Sequence, residues 1–445
     1  MPPFLCGKAG RPFPHKRGAI ASPARSSASF SFTFPSPVNP RQLAPGLLAL
    51  WSALMAGVSG FAQTWYQTSA STNGDWLSVA CSADGSKLAA AAGDDGFGDG
   101  GWVCISTNSG TTWMQSSAPT NCSWQSVASS TNGARLVAAV FQNSDNNPGV
   151  LYFSTNSGST WKAPAAPSNY WACVASSADG TKLVAADSGS GDGLIYTSTN
   201  SGKSWNATTA PSDFWSSVAS SADGTKLVAA DSGYGDGLIY SSTNSGTAWT
   251  ATAAPANPWT GIASSADGAR LVAANSGFGD DLIYTSTNSG ATWTATSAPN
   301  NQWSSVASSA DGTQLAAADS GNGDGLIYSS TNSGAAWTAT VAPINYWTSI
   351  ASSADGSKLA AAAYPGGIYT WQSSPMLSLT LSGGNVLISW QNLSSAAGSV
   401  LQANSNLTTT NWVNMTNLPA LTNGHYQVVL PKPLAANQFY RLKNP

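Results

Sequence analysis

Glutamate is absent from all 445 residues, and histidine occurs only at His15 and His425. Charge of either sign is scarce: 17 Lys and Arg stand against 20 acidic residues, every one of them an Asp between Asp75 and Asp355. Each absence excludes chemistry. With no His between residues 64 and 373, Ser–His and Cys–His nucleophile pairs cannot form there. The same stretch holds 20 acidic residues against eight basic ones, too few cations to track phosphates, which removes nucleic acid as a partner. Apolar runs are short as well. Leu47–Phe61 is less than a comfortable membrane span, and no second run of spanning length follows. Cysteine is limited to Cys6, Cys81, Cys104, Cys122 and Cys173, and the last four are spaced by 23, 18 and 51 residues, which matches no zinc pattern. They read as buried free thiols, with two disulfides as the alternative in an oxidising compartment.

What is present is a repeat. The unit Trp215–Pro258 reads WSSVASSADGTKLVAADSGYGDGLIYSSTNSGTAWTATAAPANP. Close copies begin at Trp171, Trp259 and Trp303, and looser ones at Trp76, Trp124 and Trp347. WSSVASS, TKLVAA, LIYSS and TAWTATAAP have strand composition. Asp-Gly supplies the positive φ of a tight hairpin between the first two, a Gly- and Asp-rich loop joins the second and third, and TNSG turns into the fourth. Four short antiparallel strands in about 44 residues make one propeller blade, and an open β-solenoid is the competing reading. TWYQTSASTNGDW at Thr64 aligns with TTWMQSSAPTNCSW, so Trp65 corresponds to Trp113 and the repeat opens on a fourth strand. The unit from Trp347 to Trp371 lacks a fourth strand. The two fragments complete each other, which predicts an all-β, seven-bladed β-propeller of four-stranded blades over residues 64–373, closed by its N-terminal strand.

The turn Ser242-Thr243-Asn244-Ser245-Gly246-Thr247-Ala248-Trp249 resembles the Asp-box, or BNR repeat, of sialidase-like propellers. Six copies end at Trp113, Trp161, Trp205, Trp249, Trp293 and Trp337. Each has Asn (Asn108, Asn156, Asn200, Asn244, Asn288, Asn332) where the family usually has Asp. The resemblance implies a propeller whose boxes are structural turns on the face away from the ligand site. It also implies a test of activity, because that family works with three Arg, a Tyr activated by Glu and an acidic proton donor. Here only Arg135 and Arg270 occur in the repeat region, both where other copies have Lys182 and Lys226, and no Glu exists. The fold carries over and the catalytic set does not.

The flanks differ. Residues 1–62 contain no acid and carry Lys8, Arg11, Lys16, Arg17, Arg25 and Arg41 ahead of the apolar run. They read as a long leader with a signal peptide cut after Ala62, implying a secreted or cell-surface protein; a start further downstream and a retained anchor are the alternatives. Residues 376–445 alternate short strands with turn signals and read as a small β-sandwich, loosely similar to fibronectin type III-like modules.

No catalytic residues emerge. Asp179, Asp223, Asp267, Asp311 and Asp355 are all the turn Asp of the Ala-Asp-Gly hairpin; Asp145 and Asp213 stand outside the repeat pattern, neither with an evident partner. Asp187/Asp192, Asp231/Asp236 and Asp319/Asp324 offer oxygens that calcium favours, but the loop lacks the acid density of an EF-hand, so the reading is a solvated loop with no metal or other cofactor, with weak calcium binding as the alternative. The copies differ from one another chiefly just before each leading Trp and in the second loop. Tyr170, Phe214, Tyr234, Phe278 and Tyr346, with Asn169 and Asp213, are therefore the candidate ligand-binding residues, against drift in unconstrained loops. The reading is a non-catalytic binding or adhesion propeller for a glycan or extracellular protein. Its rivals are a glycan-cleaving enzyme, which needs a converging Asp pair, and a structural surface or matrix protein, which needs self-association.

Overall fold

The computed structural model describes residues 65–372 and 377–443, apart from residues 73, 94–99, 121, 144–146, 164–165, 190–191, 234–235, 278–280, 383–384, 392–398, 406–410, 423–424 and 432–438. The leader at residues 1–62, with its signal peptide, lies outside the described residues.

Among the described residues, all regular structure apart from one short 3-10 turn is β. The Trp215 unit forms strands Trp215–Ser220, Leu227–Asp231, Ile239–Ser242 and Thr250–Ala251, antiparallel in that order. The second strand is buried along its whole length, so it reads Leu-Val-Ala-Ala without polar alternation. Ala229 and Ala230 are completely buried, and their small side chains let neighbouring sheets approach closely. The third strand buries only its ends and the fourth is exposed, so burial falls away outward.

Among the described residues, seven such sheets lie between Tyr66 and Gln372, six four-stranded and one three-stranded. The three-stranded one is led by Trp124, where the expected fourth strand shrinks to a single bridge between Phe153 and Lys162. In the Trp347 sheet the fourth position is taken by Tyr66–Gln67, with Tyr66 opposite Thr370 and Gln67 opposite Tyr369. That is the pairing the alignment of Trp65 with Trp113 predicts.

Consecutive sheets are stapled by side chains that look bland in sequence. The hydroxyl after a leading Trp donates to the next Trp carbonyl: Ser216 to Trp259 (2.7 Å), Thr260 to Trp303 (2.8 Å), Ser304 to Trp347 (2.7 Å) and Thr348 to Trp76 (2.7 Å). One residue further, Ser217 Oγ accepts from the Ile262 amide at 3.1 Å, and Ser349 Oγ from the Val79 amide at 3.1 Å. At the Ala-Asp-Gly hairpins the amides of Ala83, Thr131, Ala178, Ala222, Ala266 and Ala310 each donate to the corresponding carbonyl of the next unit, and the Ala354 amide returns to Ala83. The apolar clusters straddle sheets in the same way. Cys173, Val184 and Ile195 pack with Trp215, Val218 and Leu227 of the next unit, while Trp76 and Leu88 pack with Ala360, Ala362 and Ile368.

Cys81, Cys104, Cys122 and Cys173 are free thiols. Burial pushes Cys104 up to about 11 and, as the largest influence, Cys173 up to about 12, so both behave as small core residues. After residue 376, Ser378–Ser382, Asn385–Gln391, His425–Pro431 and Ala420–Thr422 form one sheet in that order, and Val413–Asn414, Val400–Asn404 and Phe439–Lys443 another. They share a core around Trp390, Ile388, Leu401 and Val428.

Candidate functional site

An antiparallel four-stranded unit has two ends, and the sequence treats them differently. The first end collects the Ala-Asp-Gly hairpins and the Asn-Ser-Gly turns, held together where the Ser245 amide donates to the Thr225 carbonyl at 2.8 Å. Its polar groups satisfy one another. Asp223 accepts from Ser221 Oγ at 2.6 Å and from the Thr225 amide at 2.9 Å, and these bonds hold its carboxyl down at about 2. In the second turn Ser242 Oγ donates to Asn244 Oδ1 (2.9 Å) and accepts from the Gly246 amide (2.9 Å), while Asn244 Oδ1 also accepts from the Ala248 amide (2.9 Å). Asn108, Asn156, Asn200, Asn288 and Asn332 repeat the arrangement, and the Ser that follows each of the six has φ between 56° and 59°. Crevices between units at this end, such as the one lined by Lys226, Ser242, Gly268 and Ser289, hold about 10 Å³, room for one water.

The other end carries the loops that vary. The carbonyl just before each leading Trp accepts from the amide that opens the second loop: Tyr170 from Ser188 (3.0 Å), Phe214 from Ser232 (2.9 Å), Gln302 from Ser320 (2.9 Å) and Tyr346 from Tyr364 (2.9 Å). These bonds fix the main chain and leave the side chains free to differ. Tyr170 and Tyr346 are each 37% exposed, and Phe214 is half-buried. Tyr170 packs on Phe141, centroids 5.3 Å apart, and Tyr346 edge-on to Tyr364 at 6.2 Å. Phe141 and Tyr364 are thus the residues that repeat comparison misses. They sit in two irregular copies, where alignment is weak: Phe141 lies within its unit's second strand, Leu136–Asn143, and Tyr364 directly follows Lys358–Ala363. Asn169 is held against Gly149 by a bridge. Tyr234 and Phe278 lie outside the described residues. The structure therefore gathers the aromatics as local pairs, Tyr170 with Phe141 between neighbouring units and Tyr346 with Tyr364 within one.

Asp213 has a partner after all. Its carboxyl lies against that of Asp231, which ends the second strand opposite Trp215 and is 3% exposed, so the two share a hydrogen bond only when one is protonated. Burial first, and then Asp213, push the Asp231 carboxyl up to about 6, even though the Gly233 amide donates to it at 2.8 Å. Tyr240, facing both acids, is pushed up mainly by burial. Carboxyls in direct contact are closer than the ~5 Å or more that separates a glycosidase pair across its substrate. Among the described residues, no group of three or more His, Cys, Asp or Glu side chains gathers as a metal site.

A pH effect follows. Asp231 binds its proton more tightly folded, at about 6, than at its ordinary 3.8, so it weakens the fold as pH rises from about 4 to about 6. Turn acids such as Asp223, held at about 2, act oppositely, and their contribution is lost only as pH falls below about 4. Asp231→Asn is expected to raise the melting temperature at pH 7 and flatten the decline between pH 4 and 6, read by calorimetry at both ends. The next copy has Asn275 at this place, so the substitution fits the fold. An unchanged pH profile would contradict the assignment.

Comparison with known proteins gives the fold. The structure superposes on the GH74 xyloglucanase from Xanthomonas campestris with a TM-score of 0.54 at 14% identity, over 74% of this chain and 59% of that one. It is also similar to YCF48 bound to D1 peptide, with a TM-score of 0.52 at 15% identity, over 70% of this chain and 95% of that one. Both are β-propellers, and the repeated four-stranded sheets make this chain one too. The chain spans less than two thirds of the xyloglucanase's length. No protein-family model and no curated protein matches the sequence. Among the described residues no helix is long and apolar enough to cross a membrane.

Proposed function

We propose that residues 64–373 are a closed seven-bladed propeller of the Asp-box type, that residues 376–445 are a β-sandwich module, and that the chain, exported by its leader, is a non-catalytic binding or adhesion protein. The hydrogen bonds that run from Ala83 through each hairpin and return from Ala354 support ring closure. The six Ser-x-Asn-Ser-Gly turns with their left-handed Ser support the Asp-box reading.

The observation that carries the binding reading is the contrast between the two ends. One end is uniform and its polar groups are spent on its own turns. The other presents exposed aromatic pairs, Tyr170 with Phe141 and Tyr346 with Tyr364, beside Asn169 and Asn345. Aromatic faces flanked by amides suit sugar rings and extended peptides alike. Of the structural neighbours, one is a xyloglucanase and the other was solved with a peptide, so both ligand classes have a precedent on this fold.

The test is a glycan and peptide array probed with the protein lacking its leader, followed by affinity measurements on the best ligand. Tyr170→Ala and Tyr346→Ala are each expected to weaken binding at least tenfold, roughly the 1.4 kcal/mol that an interface anchor contributes. Each loses an aromatic contact worth only about 0.5–1.5 kcal/mol, so melting temperatures should move by a few degrees at most. Full affinity in both variants, with loss on altering the Asn-Ser-Gly turns instead, would move the site to the opposite face.

A further inference from the structure

Every acidic residue lies between Asp75 and Asp355, so the region after residue 376 carries Lys432, Arg441 and Lys443 with no acidic side chain to balance them. One of these cations is held in place. Val413–Asn414, Val400–Asn404 and Phe439–Lys443 form a three-stranded sheet in that order, with Gln402 opposite both Asn414 and Arg441. Leu401, Tyr440 and Leu442 face the core, so strand alternation puts Gln402, Arg441 and Lys443 together on the other face. There the Arg441 guanidinium lies over the Trp412 ring, 4.4 Å from its centroid. Its Nε donates to Gln402 Oε1 at 2.8 Å, and Gln402 Nε2 donates to Asn414 Oδ1 at 2.7 Å.

The row can run only one way. Arginine only donates, so Gln402 turns its oxygen to Arg441 and its nitrogen to Asn414, and Asn414 spends its oxygen on Gln402 and keeps its own NH₂. Gln402 is 5% exposed, which fixes the middle of the row, while Arg441 is half-buried and Asn414 and Lys443 are exposed. What the row leaves over is all donors: the Nη groups of Arg441 and the amide nitrogen of Asn414, with the Lys443 ammonium about 7 Å along the strand. The arginines of the propeller differ. Arg135 Nη1 donates to the Asp179 carbonyl and Arg270 Nη1 to Ser333 Oγ, each at 2.8 Å. Arg441 is instead fixed through Nε and its flat face, which leaves the paired Nη edge that fits a carboxylate bidentately.

We propose that this sheet face binds an acidic glycan, with a uronate carboxylate on the Nη edge of Arg441 and Asn414 and Lys443 as flanking donors. Arg441 is the binding residue; Trp412 and Gln402 position it. The carrier is a sugar and not a peptide for a geometric reason. Extended peptides join a sheet along its edge through main-chain hydrogen bonds, and on a sheet face those groups are spent in plane on the ladder. A sugar meets such a face through side chains alone and keeps its outer hydroxyls in water. A face built of donors also selects the anionic sugar over a neutral one, because a hydroxyl gains less from a guanidinium than a carboxylate does. The site is separate from the aromatic loops of the propeller and does not depend on what they bind.

The experiment titrates the full chain by calorimetry with oligogalacturonate, with the methyl ester of the same oligomer and with an oligoglutamate of equal charge. The expected result is binding of the acid sugar that weakens as salt rises, and roughly tenfold or more weaker binding of the ester, which keeps the sugar and loses the charge. Arg441→Gln should weaken binding of the acid sugar by roughly tenfold or more. Arg441→Lys, which keeps the charge and loses the fork, should fall between the two and stands in if Arg441→Gln misfolds by its melting temperature. Trp412→Ala should weaken binding with the charge intact, and Trp412→Phe should restore most of it, because a ring again supports the guanidinium. Tyr170→Ala and Tyr346→Ala should leave this titration unchanged. Absence of binding, equal binding of acid and ester, or full affinity in Arg441→Gln would overturn the proposal. Tighter binding of the oligoglutamate would overturn it in favour of an acidic peptide.

Discussion

Trp259→Ala is expected to destabilise the protein by about 3–5 kcal/mol, the range for a buried Trp cut to Ala. Trp259 is fully buried, and its indole donates to the Gly237 carbonyl at 3.2 Å. It packs edge-on to Tyr284 at 5.5 Å and lies 6.4 Å from Trp293, within a cluster that takes Val228, Ala230 and Ile239 from the preceding sheet. One side chain thus fills the space between two sheets and caps a loop carbonyl. The surroundings cannot collapse to refill it, because Ala230 and Ala273 are already in close contact distance as the smallest chiral side chains. Denaturant unfolding followed by Trp fluorescence and by circular dichroism would read the loss. Trp293→Ala, at a half-buried ring, should cost distinctly less. A loss below about 1 kcal/mol for Trp259→Ala would mean that the sheets are held by other contacts.

Deleting residues 1–72 is expected to have a comparable effect and a second symptom. The truncation removes Trp65, 6% exposed, whose ring lies 6.1 Å from Trp347 and 6.4 Å from Trp371 and whose indole donates to Thr340 Oγ1 at 3.0 Å. It also strips the pairing of Tyr66 and Gln67 from the strand Ile368–Gln372, leaving a free edge. The Trp alone implies about 3–5 kcal/mol, and an unpaired edge recruits other chains. The shortened protein should therefore melt at least several degrees lower and self-associate in sedimentation, and a peptide spanning residues 64–72 should restore the monomer. An unchanged melting temperature and a monomeric shortened chain would refute closure by this strand.

Part of the candidate site was legible before any coordinates. Tyr170 and Tyr346 stood out because they interrupt a near-uniform repeat, and they are exposed at the varying end. Phe141 and Tyr364 escaped because their units diverge, so their positions align poorly although their rings touch the others. Asp213 looked unpartnered because its partner, Asp231, lies 18 residues away, across the strand and hairpin of its own unit.

By itself the sequence determined the all-β repeat, the positions of its strands and the chemistry of its turns. These depend on local properties: the left-handed backbone of Ser245 and Gly246, the side chain of Asn244 folded onto its own turn, and the burial of Leu-Val-Ala-Ala. It also determined the lack of a sialidase catalytic set, since no fold can supply absent Glu and Arg. Tertiary structure alone decided what happens between residues distant along the chain. Thr348 finding the Trp76 carbonyl and Asp231 meeting Asp213 are both outcomes of sub-ångström placement. Hydrogen bonding depends on distance and angle more steeply than composition can encode.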